Sequence, residues 1–193
     1  MLNQMKGVKK LLLVVDLLNG FIRVGNMADL HIQHILPESE RLIKKFLEGG
    51  YRVVYVKDCH KKNSREFKRF PVHCLRKTYE AQIVDELLPF ENEAIVIEKN
   101  STSAIFNKLL LEIIEQMPDL EEIVIIGCCT DICVLNLAIP LQNYLDEINR
   151  DIKITIPKNA VETFDAPTHP RDEYNEIAFK LFKQSGINLV DSY

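Results

Sequence analysis

Residues 121–138 read EEIVIIGCCTDICVLNLA. Ile123 to Ile126 is an unbroken apolar run rich in β-branched residues, the pattern of a strand buried on both faces, and Gly127 ends it. Thr130 and Asp131 are good N-cap residues. Ile132, Val134, Leu135 and Leu137 then supply apolar sides for a helix lying on a sheet. Cys133 falls in the first turn of that predicted helix, where unpaired backbone amides and the positive end of the helix dipole favour a thiolate. A free cysteine is more often a packing residue than a nucleophile. The functional reading therefore requires a base and a charge stabiliser from elsewhere in the chain.

Working outward, KLLLVVDL (residues 10–17) is a second continuous apolar run, ending at Asp16 just before the turn residues Asn19 and Gly20. Residues 51–57 predict a strand ending at Asp58, and 94–98 one ending at Lys99. Residues 152–156 and 187–190 bring the predicted strands to six. Helical spacing is predicted over 38–48, 78–88, 101–114 and 170–184, with Pro140 kinking or ending the helix after Cys133. Strands alternating with helices predict a three-layer α/β/α fold, a mainly parallel six-stranded sheet with helices on both faces, in one domain over residues 1–193. Ligands in such sheets bind beyond the carboxyl ends of the strands. Asp16, Asp58, Lys99 and Cys133 are all expected at that edge.

The totals narrow the function classes. Among 193 residues, 47% are hydrophobic and 27% charged, and the formal charge of -4 argues against nucleic acid as a partner. The opening MLNQMKGVKK is followed by a short apolar run with no small-residue cleavage site, and no run is long enough to span a membrane. A cytoplasmic location is the expectation, and five cysteines without disulfide-framework spacing fit a reducing compartment.

Two constellations carry chemistry. An acid, a cation and a thiol on one edge suit acyl transfer: Asp16 takes the thiol proton, Cys133 attacks a carbonyl, and Lys99 holds the developing charge. Against this, strand-end Asp and Lys residues are commonly solvated, and Asp16 could instead close an Asx-turn with Asn19–Gly20. The second constellation lies in the polar, basic stretch 59–77, where Asp58 and His60, with His73 and Glu66, offer carboxylates and imidazoles for a divalent metal. Histidines in a basic loop are usually ligand-free, and Glu66 could simply pair with Arg69. Phe21, Phe67 and Phe70 adjoin these polar positions. His31, His34 and His169 have no partner visible in sequence and read as surface or local hydrogen-bonding residues, and Cys59, Cys74 and Cys128 read as packing residues.

These residues resemble a family. VVDLLNGF, EKNSTSAIF and GCCTDICVLNLA are similar to the opening, strand-end lysine and nucleophile motifs of the isochorismatase-like cysteine hydrolases, in the same order and over nearly the whole chain. The resemblance implies an Asp16-Lys99-Cys133 triad and a cis peptide between Cys128 and Cys129 that makes the Cys129 and Cys133 amides an oxyanion hole. Within the family, DCHKKNSREFKRFPVHC looks like the metal loop of nicotinamidases, which implies Asp58, His60 and His73 as ligands, Glu66 as a further one, and Zn2+, or Fe2+ or Mn2+, as the ion. The implied reaction is hydrolysis of nicotinamide or pyrazinamide through a Cys133 thioester, in NAD salvage, with Phe21 and Phe70 packing on the ring and the protein a dimer or tetramer. A sister amidohydrolase for a carbamoyl or ureido substrate and a non-catalytic metal or thiol-redox protein remain the alternatives. Leu18, Gly20, Cys59, Lys77 and Glu80 depart from the family pattern around the pocket.

Overall fold

The computed structural model describes residues 5–193; residues 1–4 of the opening stretch lie outside it. The six expected strands are present: β1 Lys10–Val15, β2 Arg52–Asp58, β3 Ile95–Lys99, β4 Glu122–Cys128, β5 Lys153–Pro157 and β7 Asn188–Val190. A two-residue strand β6, Val161–Glu162, adds a seventh, pairing with β4 at Gly127 and Cys128. The main path runs β3-β2-β1-β4-β5-β7 and every pairing is parallel. Strand order thus reverses between β1 and β4, which opens the crevice that doubly wound sheets use for ligands.

Alternation along β1 shows the layers. Leu11, Leu13 and Val15 face one core with α3 (Lys108–Glu115), α4 (Leu135–Glu147) and α5 (Arg171–Gln184). Leu12 and Val14 face the other, with Leu42, Ile43 and Phe46 of α2 (Leu36–Glu48) and the short α1 (Asn19–Ile22). No helix among the described residues is long and apolar enough to cross a membrane.

Gly127 is fixed by close approach. Its φ is +121°, and a Cβ there would sit 1.9 Å from the Val15 carbonyl oxygen. Only glycine lets the ends of β1 and β4 meet so tightly.

Four local expectations are corrected. Residues 78–88 do not form an α-helix but two 3-10 turns, Tyr79–Ala81 and Leu88–Glu93. Their backbone is used elsewhere: Val84 N donates to Leu17 O, and Asn19 N donates to Gln82 O. The helix expected over 101–114 begins only at Lys108, capped by Asn107, because Thr102 and Ser103 are turned outward to other partners. The helix after β4 is capped by neither Thr130 nor Asp131. Cys129 is the N-cap, and the chain starts as a π turn, Thr130–Val134, in which Val134 N reaches back to Cys129 O.

Finally, α4 runs through Pro140 without ending. Proline strips the helix of the amide that should serve the Asn136 carbonyl. The Ser103 hydroxyl takes its place by donating to Asn136 O.

Candidate active site and metal centre

The chain leaves β1 through Asp16, buried and in the left-handed region at φ +52°. Such a conformation is uncommon outside glycine, though Asp is among the residues that tolerate it. It is held from both sides: Asp16 N donates to Val56 O, and Asp16 Oδ1 accepts from Asp58 N at 2.8 Å. Lys99, at the end of β3, stands between two carboxylates, 2.8 Å from Asp16 Oδ2 and 2.6 Å from Asp58 Oδ1. Its Nζ is also 3.8 Å from Cys133 Sγ. Oxygens of Asp16 and Asp58 and the Cys133 sulfur lie within 4.8 Å of one another. Acid, cation and thiol therefore meet as the strand ends predict.

Their electrostatics differ from the simple helix-dipole expectation. Burial pushes the Cys133 thiol well above its ordinary value; Lys99 opposes that, while the Asp16 and Asp58 charges add to it. The resting group is a thiol, not a thiolate. Burial, then the Asp58 charge, raises the Asp16 carboxyl to about 6, against the pull of Lys99. Burial would lower Lys99, but the two carboxylates outweigh it and keep it charged. Asp58 is desolvated too, yet Lys99 and the contacts from His60 and His73 hold it below the usual carboxylate range.

The second constellation also assembles. His60 Nε2 is 3.5 Å from Asp58 Oδ2, and His73 Nε2 is 3.6 Å from the same oxygen, with all three side chains buried. His73 Nδ1 donates to Pro71 O at 2.7 Å, which leaves Nε2 with its lone pair toward the cluster. Glu66 Oε2 is 3.5 Å from His60 Nε2, while its Oε1 accepts from Thr102 N and the Thr102 hydroxyl. Buried His60 Nε2 and Glu66 Oε2 have no hydrogen-bond partner in the protein. Orphaned buried polar atoms facing one space are what a cation would satisfy, and imidazole with carboxylate suits zinc, iron or manganese.

Both constellations border one cleft, lined among others by Asp58, His73, Phe21, Phe70, Cys129 and Cys133. The Phe21 and Phe70 rings lie 5.5 and 6.5 Å from the His73 ring. The peptide between Cys128 and Cys129 is cis. Met27, Thr102 and Ile132 complete the wall and were not foreseen. Ile132, beside Cys133, and Thr102, inside the strand-end lysine motif, carried a sequence signal; Met27 did not.

The departures from the family pattern have local reasons. Lys77 has φ +67°, the left-handed region where glycine is the easy choice. Glu80 accepts from Cys74 N at 2.9 Å, and a Cβ on Gly20 would lie 2.6 Å from Cys74 Sγ. Gly20 and Glu80 lie against each other, a Cβ on Gly20 being 3.0 Å from Glu80 Cβ. His169 is buried and hydrogen-bonded: its Nε2 lies 2.8 Å from Asp131 Oδ2, its Nδ1 lies 3.1 Å from the nearby Phe164 O, and its ring is stacked between Phe164 and Tyr174.

"Nicotinamidase 1" of Arabidopsis thaliana is 27% identical over 207 residues, covering 93% of this chain and 84% of that one. The pyrazinamidase of Pyrococcus horikoshii, solved in complex with zinc, superposes with a TM-score of 0.78 at 25% identity, covering 94% of this chain and 98% of that one. N-carbamoylsarcosine amidase of Thermoplasma acidophilum shares the fold, with a TM-score of 0.73 at 24% identity over 94% and 95% of the two chains. The isochorismatase domain model matches residues 10–192, and the chain belongs to the isochorismatase family of hydrolases.

Proposed function

We propose that this protein is a nicotinamidase that hydrolyses nicotinamide, and pyrazinamide as a surrogate, to the acid and ammonia, a step of pyridine-nucleotide salvage. One observation carries the reading: His60 and His73 Nε2 converge on Asp58 Oδ2 at 3.5 and 3.6 Å, and Asp58 and His73 line the same cleft as Cys133. A divalent ion held by Asp58, His60 and His73, with Glu66 beside them, would supply a Lewis-acid contact for the ring nitrogen of a pyridine carboxamide. A carbamoyl substrate has no such nitrogen to place there. The curated plant relative named a nicotinamidase supports the same choice.

In this reading the ring packs between Phe21 and Phe70, with its carboxamide toward Cys133. Asp16, an acceptor at neutral pH with its carboxyl at about 6, takes the thiol proton as the sulfur attacks the carboxamide carbon. The carbonyl oxygen gathers negative charge and is met by the Cys129 and Cys133 amides. Lys99 balances the negative charge that passes between Asp16 and sulfur. As the C–N bond breaks, Asp16 returns the proton to the leaving nitrogen and ammonia departs. Asp16 then deprotonates a water that attacks the thioester carbonyl. The C–S bond breaks, the proton goes back to sulfur, and the carboxylic acid product leaves.

The test is ammonia release from nicotinamide by the purified protein, beside Cys133→Ala and beside chelator-stripped protein restored with zinc, iron or manganese. Turnover lost with Cys133→Ala and regained on metal addition is the expected result. Chelator-insensitive turnover would refute the ligand role of the cluster. Turnover of carbamoyl compounds but not of nicotinamide would select the sister amidohydrolase reading instead.

A further inference from the structure

His31 and His34 stand three residues apart on the 3-10 helix Leu30–Ile35, between α1 and α2. In a 3-10 helix, side chains at i and i+3 eclipse, and the two rings lie 4.7 Å apart. Opposite them, from β6, Glu162 presents Oε2 at 3.5 Å from His31 Nε2 and 3.5 Å from His34 Nε2. We propose that His31, His34 and Glu162 form a second divalent transition-metal site, sharing no residue with the cluster around Asp58.

The spacing favours an ion over direct pairing. Ligand atoms each about 2.1 Å from a tetrahedral zinc lie about 3.4 Å apart, whereas a nitrogen-to-carboxylate hydrogen bond closes to about 2.8 Å. The distances match those of the Asp58 cluster, where the pairs are at 3.5 and 3.6 Å. The ligand atoms are also oriented. His34 Nδ1 donates to His31 O at 2.8 Å, which places its proton on Nδ1 and leaves the Nε2 lone pair facing Glu162.

Glu162 is held in the same way. Its Oε1 accepts from Thr163 N at 2.7 Å and Asn175 Nδ2 at 2.6 Å, leaving Oε2 as the outward oxygen. The nearest cationic side chain in the cluster, Arg171, keeps its Nε 4.0 Å from Oε1 and spends its guanidinium on Asp29 Oδ2 at 2.6 Å and Thr163 O at 3.1 Å. The carboxylate is buried while both imidazoles are about half exposed, so an ion can enter from solvent and keep an open position. Two imidazoles and a carboxylate select zinc, nickel, cobalt or copper rather than calcium or magnesium.

The ion would act as a clamp. The 3-10 helix it ties to β6 follows shortly after Met27, part of the cleft wall, on the stretch that connects it to α1.

The experiment is zinc binding to tag-free, chelator-stripped protein by equilibrium dialysis with elemental analysis, comparing wild type with the exposed-site double variant His31→Ala/His34→Ala and with Glu162→Gln. The wild type should bind one zinc more per chain than the double variant. Zinc should weaken at that site by at least about a hundredfold in each variant, since loss of an outer partner of a ligand alone costs 10–100-fold. Cobalt should give the wild type a d–d absorption component that the double variant lacks. Equal zinc stoichiometry and affinity in wild type and double variant would overturn the proposal, as would unaltered binding in Glu162→Gln. The readout is independent of turnover, so it stands whether or not nicotinamide is the substrate.

Discussion

Lys99 Nζ lies 2.6 Å from Asp58 Oδ1, while Asp58 Oδ2 faces His60 and His73. One carboxylate thus joins the cation beside Cys133 to the His60 and His73 imidazoles. Asp58→Asn should therefore strike both halves at once, lowering bound metal and cutting turnover by about a hundredfold or more. Cys133→Ala should abolish turnover and leave metal content unchanged. Elemental analysis alongside an ammonia assay checks both, and an Asp58→Asn protein with full metal content would contradict the shared-carboxylate account.

Gly127 supports the site from behind. With a Cβ there only 1.9 Å from Val15 O, Gly127→Ala forces β1 and β4 apart, and the expected cost exceeds about 3 kcal/mol. Gly50, also at positive φ but with nothing within 4 Å of the place a Cβ would occupy, is the control; Gly50→Ala should cost about 1 kcal/mol. Urea unfolding of the two variants measures the difference.

The bond from Ser103 to the Asn136 carbonyl matters because Pro140 has no amide to give. Ser103→Ala should cost about 0.5–1 kcal/mol. In a Pro140→Ala background a helical amide becomes available to the same carbonyl, and the cost of Ser103→Ala should fall toward zero. A double-mutant cycle with no coupling would mean the hydroxyl does not substitute for the missing amide.

Glu122 governs acid stability near β5. Burial alone would raise its carboxyl, but the hydroxyls of Thr155 and Tyr193, both at 2.7 Å, and the Lys10 ammonium hold it at about 2, below the ordinary 4.5. A carboxyl depressed in the fold stabilises above its unfolded value and loses that contribution as pH falls through the folded one. Wild type should exceed Glu122→Gln by roughly 1–3 kcal/mol at pH 7, the range for hydrogen bonds to a charged group. Below about 4.5 the gap should narrow, reaching its minimum near 2. Chemical denaturation of both proteins across that range checks the sign.

The sequence by itself determined the sheet and what its edge carries. Continuous apolar runs such as Ile123 to Ile126 can only be buried on both faces, and their ends are marked by the residue that breaks the run. Asp16, Lys99 and Cys133 could therefore be placed on one edge before any coordinates. Asp58 and His60, at the end of a strand, are only candidate ligands from spacing, as is His73, and it is the resemblance to the metal loop of nicotinamidases that implies all three as ligands. Local signals failed where backbone groups found distant partners. Val84 N goes to Leu17 O, which removes a helix from 78–88, and the Ser103 hydroxyl lets α4 continue through Pro140.

Only the tertiary structure decided charge and long-range convergence. The first turn of a helix suggests a thiolate at Cys133, but burial, together with the Asp16 and Asp58 charges, outweighs Lys99 and pushes the thiol well above its ordinary value. His31 and His34 showed no partner in the sequence because Glu162 arrives from a strand far along the chain. Periodicity reports which face a residue occupies. It carries no information about which distant groups the fold sets against that face, and ionisation and metal affinity depend on those groups.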